Sequence, residues 1–259
     1  MVRIPKQVYR VRISFLTDTL GLSPANSEVY QRYVKKRLYE EIEKLEKMLR
    51  KKKLSEEERE ILERRLERLR ADSEVEEFMP EVSDRLSVFA RDRDGYLIFK
   101  NYQILGYFKE IANNFYKGGL RNKISKYVDI YGDILKDVYR EVYFERNGER
   151  LTQPDDLLER PLRAYTPSGY VVSIVISEVL RPPLELQFDI KVVGSKSLHD
   201  ITGDLLREML EYGKEISGLS QWRTAGWGKF EVKEFYELDL DNPELNGEKP
   251  KRVKLKMKS

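Results

Sequence analysis

The chain has 259 residues, with 48 Lys and Arg against 45 Asp and Glu, a formal charge of +3, one histidine and no cysteine. So balanced a charge excludes a global basic field as the reason to bind nucleic acid and leaves only local patches. Without thiols there are no disulfides, thiolate metal sites or cysteine nucleophile, and a single histidine, His199, argues against a conventional zinc site or a Ser-His-Asp triad.

No apolar run reaches membrane-spanning length and the N-terminus carries no secretory h-region, so a cytoplasmic protein with no membrane partner and no cofactor is expected. The first element is QVYRVRISFL (7–16), a strand whose Val8, Val11, Ile13 and Phe15 fall close to one period-2 face. TDTLGLSPANSEVY (17–30) follows as a loop ending in a helix N-cap at Asn26 or Ser27. Residues 28–71 are helical and highly charged. Leu38, Ile42, Leu45 and Leu49 make one apolar stripe, and Ile61, Leu62, Leu66 and Leu69 make a second. Lysines 51–53 mark the break, and SEEE (55–58) reads as a capping box. Two single-stripe helices joined by a short turn predict an antiparallel hairpin. It serves as a solvated spacer, a dimerisation arm or an RNA-contacting arm.

DRDGYLIFKNYQILGYFKEIANNFY (92–116) predicts a turn at Asp94 and Gly95, a short strand, and a helix with Ile104, Phe108, Ile111 and Phe115 inward. A glycine pair then leads into Arg121, Lys123 and Lys126. VYREVYFERNGERL (138–151) carries the strongest hairpin signal, Asn147 and Gly148. Arg160 and Pro161 read as loop, with Arg163, Tyr165 and Tyr170 interleaving cations and aromatics. Residues 170–179 and 184–193 read as strands that pair with each other. A helix over 200–216, with Leu205, Met209, Leu210 and Ile216 inward, precedes a last strand over 229–238. The tail KPKRVKLKMKS (249–259) is a basic edge strand or arm.

Between that helix and strand lies GLSQWRTAGWGKFEV (218–232), which holds both tryptophans of the chain. Gly218, Gly226 and Gly228 allow close backbone approach and expose N–H groups. Arg223 and Lys229 are donors for phosphate, while Trp222 and Trp227 offer flat faces to unpaired bases. The bland alternative is a tight connection with tryptophans as core plugs. No Gly-Lys-Ser/Thr follows, and the order helix–loop–strand is the reverse of a P-loop.

The run DITGDLLREMLEYGKEISGLSQWRTAGWGKFEV resembles the C-terminal signature of the RAMP superfamily, the RNA-binding subunits of CRISPR effector complexes. It shares their helix, their glycine-rich loop with Arg223 ahead of Gly226-Trp227-Gly228, and their closing strand. GYLIFKNYQILGYFKEIANNFY is similar to an earlier element of that family, with Gly106 and Lys109 at its Gly-Lys-like step, and YRVRISFLTDTLGL is similar to its opening strand and loop. Residues 159–179 also resemble prophage-encoded proteins that share this loop. The resemblance implies an α+β, ferredoxin-like domain with antiparallel sheet over 1–27 and 72–240. The hairpin (28–71) is then an insertion and 241–259 a basic tail. It implies single-stranded RNA as partner, with single-stranded DNA as a variant, and assembly with other subunits or copies of itself.

Some family members cut precursor RNA with a histidine as general acid or base. His199 is the one candidate here, with capping or RNA contact as its other roles; Asp18 and Asp129 are the loop candidates for an acid. Three readings stay open: a non-catalytic RNA-binding subunit, a metal-independent endoribonuclease using His199, and an interaction protein built on the hairpin. In the first, Lys109, Arg121, Lys123, Arg160, Arg163 and Tyr165 join the glycine-rich loop in contacting RNA.

Overall fold

The computed structural model describes residues 6–25, 27–50, 54–73, 86–166 and 169–240, with backbone alone at 27–34, 37, 72–73, 162–166, 169–173 and 224. In chain order the elements begin with β1 (Lys6–Phe15), β2 (Thr19–Leu20), β3 (Ser23–Pro24), α1 (Ser27–Leu49), α2 (Glu56–Ser73) and β4 (Leu86–Val88). Next come β5 (Ala90–Arg91), β6 (Leu97–Lys100), α3 (Asn101–Phe115), α4 (Leu120–Tyr127), β7 (Val128–Tyr131), β8 (Glu141–Arg146) and β9 (Glu149–Arg150). The chain ends with β10 (Asp156–Thr166), β11 (Gly169–Leu180), β12 (Glu185–Val193), α5 (Gly203–Glu215) and β13 (Phe230–Glu237). It is mixed α+β, with five helices among the described residues and antiparallel sheets in which only β11 with β4 is parallel. No helix among those residues is long and apolar enough to cross a membrane.

Strand β1 lies between β12 and β13 and is antiparallel to both. Side chains alternate across a strand, so one face of β1 carries Tyr9, Val11, Ile13 and Phe15, all buried. The register sets them opposite Ile190, Phe188 and Leu186 of β12 and Phe230 of β13. Tyr9, and not Val8, completes the inward set: Val8 is buried on the opposite face, because period two admits only odd positions here.

Helices α3 and α5 cover this apolar face. Ile104, Phe108 and Ile111 point inward as the spacing predicts, joined by Leu105, Tyr107 and Ala112, and Tyr107 Oη donates to the Met209 carbonyl at 2.8 Å. Phe115 and Ile216 instead stay exposed; Phe115 stacks on Tyr212 with ring centroids 4.6 Å apart. Leu206 and Gly213 take the inward places on α5 beside Met209 and Leu210, while Leu205 is only half-buried. The far edge of β12 is shared by β7 and β8, and β8 continues to β6 and β5. Two crossovers result, β1 through α3 and α4 to β7 and β12 through α5 to β13, each leaving one antiparallel strand between its ends.

Three further expectations meet corrections. Strand β11 does not pair with β12; it turns back on β10, with Thr166 opposite Gly169, and the cis-linked Pro182-Pro183 carries the chain into the other sheet. Arg160 and Pro161 are strand rather than loop. Proline is tolerated because β10 is an edge strand with no ladder bond to lose on its outer side. Asp129 lies in β7, not in a loop. Hairpin β8–β9 turns at Asn147 and Gly148, both at positive φ, as that dipeptide predicts.

Helices α1 and α2 pack on each other through Leu45, Leu62, Leu66 and Leu69, with Leu38, Ile42 and Leu49 alongside. The Ser55 capping box forms: Glu58 N donates to Ser55 Oγ at 3.1 Å and Ser55 N to Glu58 Oε2 at 3.2 Å. Ile61 belongs to the main core, so α2 is seated on the sheet rather than held away from it. Lysines 51–53 and the tail at 241–259 lie outside the described residues.

On the second face of the sheet, Arg10 sits in register with Asp189 and grips it with Nε and Nη2, both at 2.8 Å. Asp189 is fully buried and also accepts from Ile134 N at 2.8 Å, while Arg10 reaches Asp133 at 2.8 Å. Asp189→Ala is expected to cost about 3 kcal/mol in urea unfolding, since it leaves the Arg10 guanidinium with Asp133 alone and the Ile134 amide without its acceptor. The double variant Arg10→Met/Asp189→Leu should recover most of that loss.

Candidate functional site

The glycine-rich loop is closed on itself before it meets anything else. Leu219 N donates to the Gly228 carbonyl at 2.8 Å, and a Cβ on Gly218 would lie 2.3 Å from the Trp227 carbonyl oxygen. Gly228 has φ +67 and a Cβ there would meet Ser220 Cβ at 2.5 Å, so both positions require glycine for backbone contact within the loop. The loop is stitched to the turn after β1. Gly228 N donates to the Asp18 carbonyl at 2.8 Å, Thr17 Oγ1 to the Gly226 carbonyl at 2.8 Å, and Leu20 N to Ser220 Oγ at 2.8 Å. Two of the amides expected to cradle phosphate are thereby engaged, since Gly226 N donates to the Arg223 carbonyl.

The two loop cations also have partners inside the protein. Arg223 forms an ion pair with Glu110 of α3, and Lys229 Nζ donates to the Glu215 carbonyl at 3.3 Å, capping the last turn of α5. What the loop presents outward is Trp222, 40% exposed and held at φ 54, an uncommon conformation for a bulky residue.

Against Trp222 lies Arg160. Its Cζ stands 3.9 Å from the Trp222 ring centroid and 6.0 Å from that of Trp227. Strand β10 supplies the arginine, β11 supplies Ser177, and Gln221 comes from the loop. Arg160 Nη2 donates to Ser177 Oγ at 3.0 Å and to Gln221 Oε1 at 3.4 Å. Among the described residues its buried Nε and Nη1 find no acceptor, and no carboxylate pairs with it. Burial pushes the guanidinium below its ordinary pKa, yet at that strength an arginine remains a cation. A buried donor without an acceptor costs about 1–3 kcal/mol, more when charged. This is therefore a retained liability beside two aromatic faces, suited to an acceptor supplied from outside.

Arg160 and the tryptophan loop are thus brought together, which spacing in the sequence does not reveal. Ser177 carries no signal beyond being polar in a strand, and Gln221 none beyond being polar in the glycine-rich loop. Arg163 and Tyr165 share strand β10, with their side chains outside the described residues.

The remaining candidates lie elsewhere. Lys6 opposes Val193 at one end of β1 and Phe230 opposes Phe15 at the other, a strand length of about 30 Å at ~3.3 Å per residue. His199 and the α4 cations belong to the Val193 end: Lys123 pairs with Asp200, Lys126 with Glu58, and Arg121 is exposed at the start of α4. Lys109 approaches Glu41 at 3.9 Å. Gly106 lies within α3, not at a strand-to-helix step, because β6 passes directly into α3 at Lys100. Asp18 is the exception, since its carbonyl anchors the loop through Gly228 N, while its carboxylate lies 3.9 Å from Arg181.

His199 is buried, and both ring nitrogens are engaged. Nε2 stands 3.2 Å from the Gly194 carbonyl, while Nδ1 accepts from Ile201 N at 3.3 Å, which sets the proton on Nε2. Desolvation lowers its pKa, so the folded protein holds a neutral imidazole. The unfolded chain takes up that proton first as pH falls below about 6.5. The stability from the neutral ring is therefore complete above that pH and is lost below it. With one histidine in the chain, urea unfolding from pH 7.5 to 5.5 should show wild type losing stability faster than His199→Gln.

Compared with protein-family models and with curated proteins, the chain matches none of them.

Proposed function

We propose that the chain is an RNA-binding protein of the RAMP type, and that single-stranded RNA lies over the corner where Arg160 meets Trp222 and Trp227. The observation that carries the reading is the Arg160 guanidinium, buried on an indole with two donors unanswered. A phosphate or a base edge answers those donors, and the exposed face of Trp222 stacks on a base at about 1–3 kcal/mol, whatever the base. Within this reading Arg223, Lys229 and the glycines of the loop shape the platform, because their own groups are spent on internal contacts. The protein acts without catalysis, as a subunit of a cytoplasmic ribonucleoprotein; single-stranded DNA fits the same chemistry. A ferredoxin-like domain is part of the proposal. It is supported by the order β13-β1-β12-β7, by the two crossovers that interleave there, and by α3 and α5 on one face.

Both tryptophans of the chain belong to this loop, so intrinsic fluorescence reports on it directly. Titration with single-stranded RNA should quench it saturably, and Trp222→Ala should weaken binding roughly 5- to 150-fold. Arg160→Met should leave thermal stability unchanged or raised, since it removes an unsatisfied buried charge. The same change should lower RNA affinity at least ~10-fold and make the salt slope shallower by about 1. A destabilised Arg160→Met variant with full RNA affinity, or wild type that ignores RNA and single-stranded DNA at low salt, would overturn the reading.

A further inference from the structure

At the end of the sheet away from the tryptophans, a cleft of about 230 Å³ lies between α2, the end of α4, β7, β12 and the start of β1. Three sources supply its charge. Lys6 and Lys191 come from the sheet, Arg64, Arg65 and Arg68 from α2, and Lys126 from α4. Asp129 is the single carboxylate in the lining. It is shared, at 3.4 Å from Arg65 and 3.8 Å from Arg68.

The cations are unequal in what already holds them. Arg65 is nine-tenths buried and fixed by the carbonyls of Lys126 and Val128 at 3.4 and 3.3 Å. Arg64 also pairs with Glu60, Lys126 pairs with Glu58, and Arg68 lies over the rings of Tyr139 and Tyr131. Among the described residues Lys191 has no carboxylate within ion-pair distance; its Nζ rests 3.4 Å from Tyr131 Oη, over the same ring. Desolvation lowers its pKa against the pull of Asp129, and Arg68, Lys6 and Arg64 push the same way. Six cations in the lining against Asp129, with Glu58 and Glu60 beside them, leave an excess of positive charge in a partly desolvated cleft, which an entering anion offsets. The apolar floor of Ile61 and Val193 limits what fits to a compact group with charge on every side. A phosphate is such a group: it offers oxygens in several directions and matches the forked donors of Arg64 and Arg68.

We propose that this cleft is a binding site for a free or terminal phosphate group, with Lys191 and Lys6 closing it from the sheet and Arg64 and Arg68 from α2. The same chemistry is offered by inorganic pyrophosphate and by the 5′-phosphate of an oligonucleotide. The proposal stands independently of the RNA reading, because the two sites sit at opposite ends of β1.

The test is thermal unfolding of the full chain with pyrophosphate against chloride at matched ionic strength. Wild type should gain roughly 2–4 °C with saturating pyrophosphate. Lys6→Gln/Lys191→Gln should lose that gain while melting at the same or a higher temperature without ligand, as expected when repulsion is relieved. Trp222→Ala should keep the gain, which separates this site from the loop. Oligonucleotides with and without a 5′-phosphate identify the source, a gain confined to the phosphorylated one marking a terminal phosphate. No gain from either phosphate in wild type, or an equal gain in the double lysine variant, overturns the proposal.

Discussion

Everything in this fold depends on a strand near the N-terminus finding two partners near the other end. Strand β1 bonds β12 on one side and β13 on the other, and Arg10 meets Asp189 across a separation of 179 residues. Closing so long a loop costs entropy before any contact rewards it. The reward is collective. Once β1 is in register, Tyr9, Val11, Ile13 and Phe15 face Leu186, Phe188, Ile190 and Phe230, all buried under α3 and α5. A slip of one residue would turn Arg10 and Arg12 into that core, so the apolar pattern and the Arg10–Asp189 grip specify one register from opposite faces.

The same strand sets the distance between the two places where charge is left unbalanced. At its C-terminal end the turn through Thr17 and Asp18 holds the glycine-rich loop, which in turn presents Trp222 to Arg160 of the second sheet. At its N-terminal end Lys6 faces Lys191 and the arginines of α2. Elsewhere the polar groups are mostly answered: Glu178 accepts from both Phe89 N and Arg91, and Arg146 takes Asp155 together with the carbonyls of Arg181 and Pro183. Against that background an unanswered guanidinium and a cluster of like charges are local departures from otherwise thorough pairing. Such departures concentrate where a protein meets something else.

How much of this could be read in the amino acids varies with the range of the interaction involved. Short-range signals carried through. The Ser55 capping box, the turns at Gly95 and at Asn147 and Gly148, the two leucine stripes of α1 and α2, and the strands at 7–16, 184–193 and 229–238 all depend on neighbours a few residues away. Pro161 misled because a proline usually denies a strand, and only sheet order shows that β10 is an edge. The pairing of β11 misled for a related reason. Adjacency in sequence favours a hairpin with β12, but the chain crosses at Pro182-Pro183 into another layer.

The sequence by itself determined the α+β class, most element positions, and the gathering of two tryptophans, two cations and three glycines in one loop. These follow from period, propensity and turn chemistry, which are local. Only the tertiary structure decided what those residues do to one another. It spends Arg223 on Glu110 and Lys229 on a helix end, folds the glycines against their own loop, and brings Arg160 from a distant strand to the exposed indole. It also turns Arg64, Arg65 and Arg68 of α2 toward Lys191 of β12. Charge in a sequence has a sign but no surroundings. Whether a cation is paired, solvated or left waiting is set by burial and by neighbours that arrive from far along the chain.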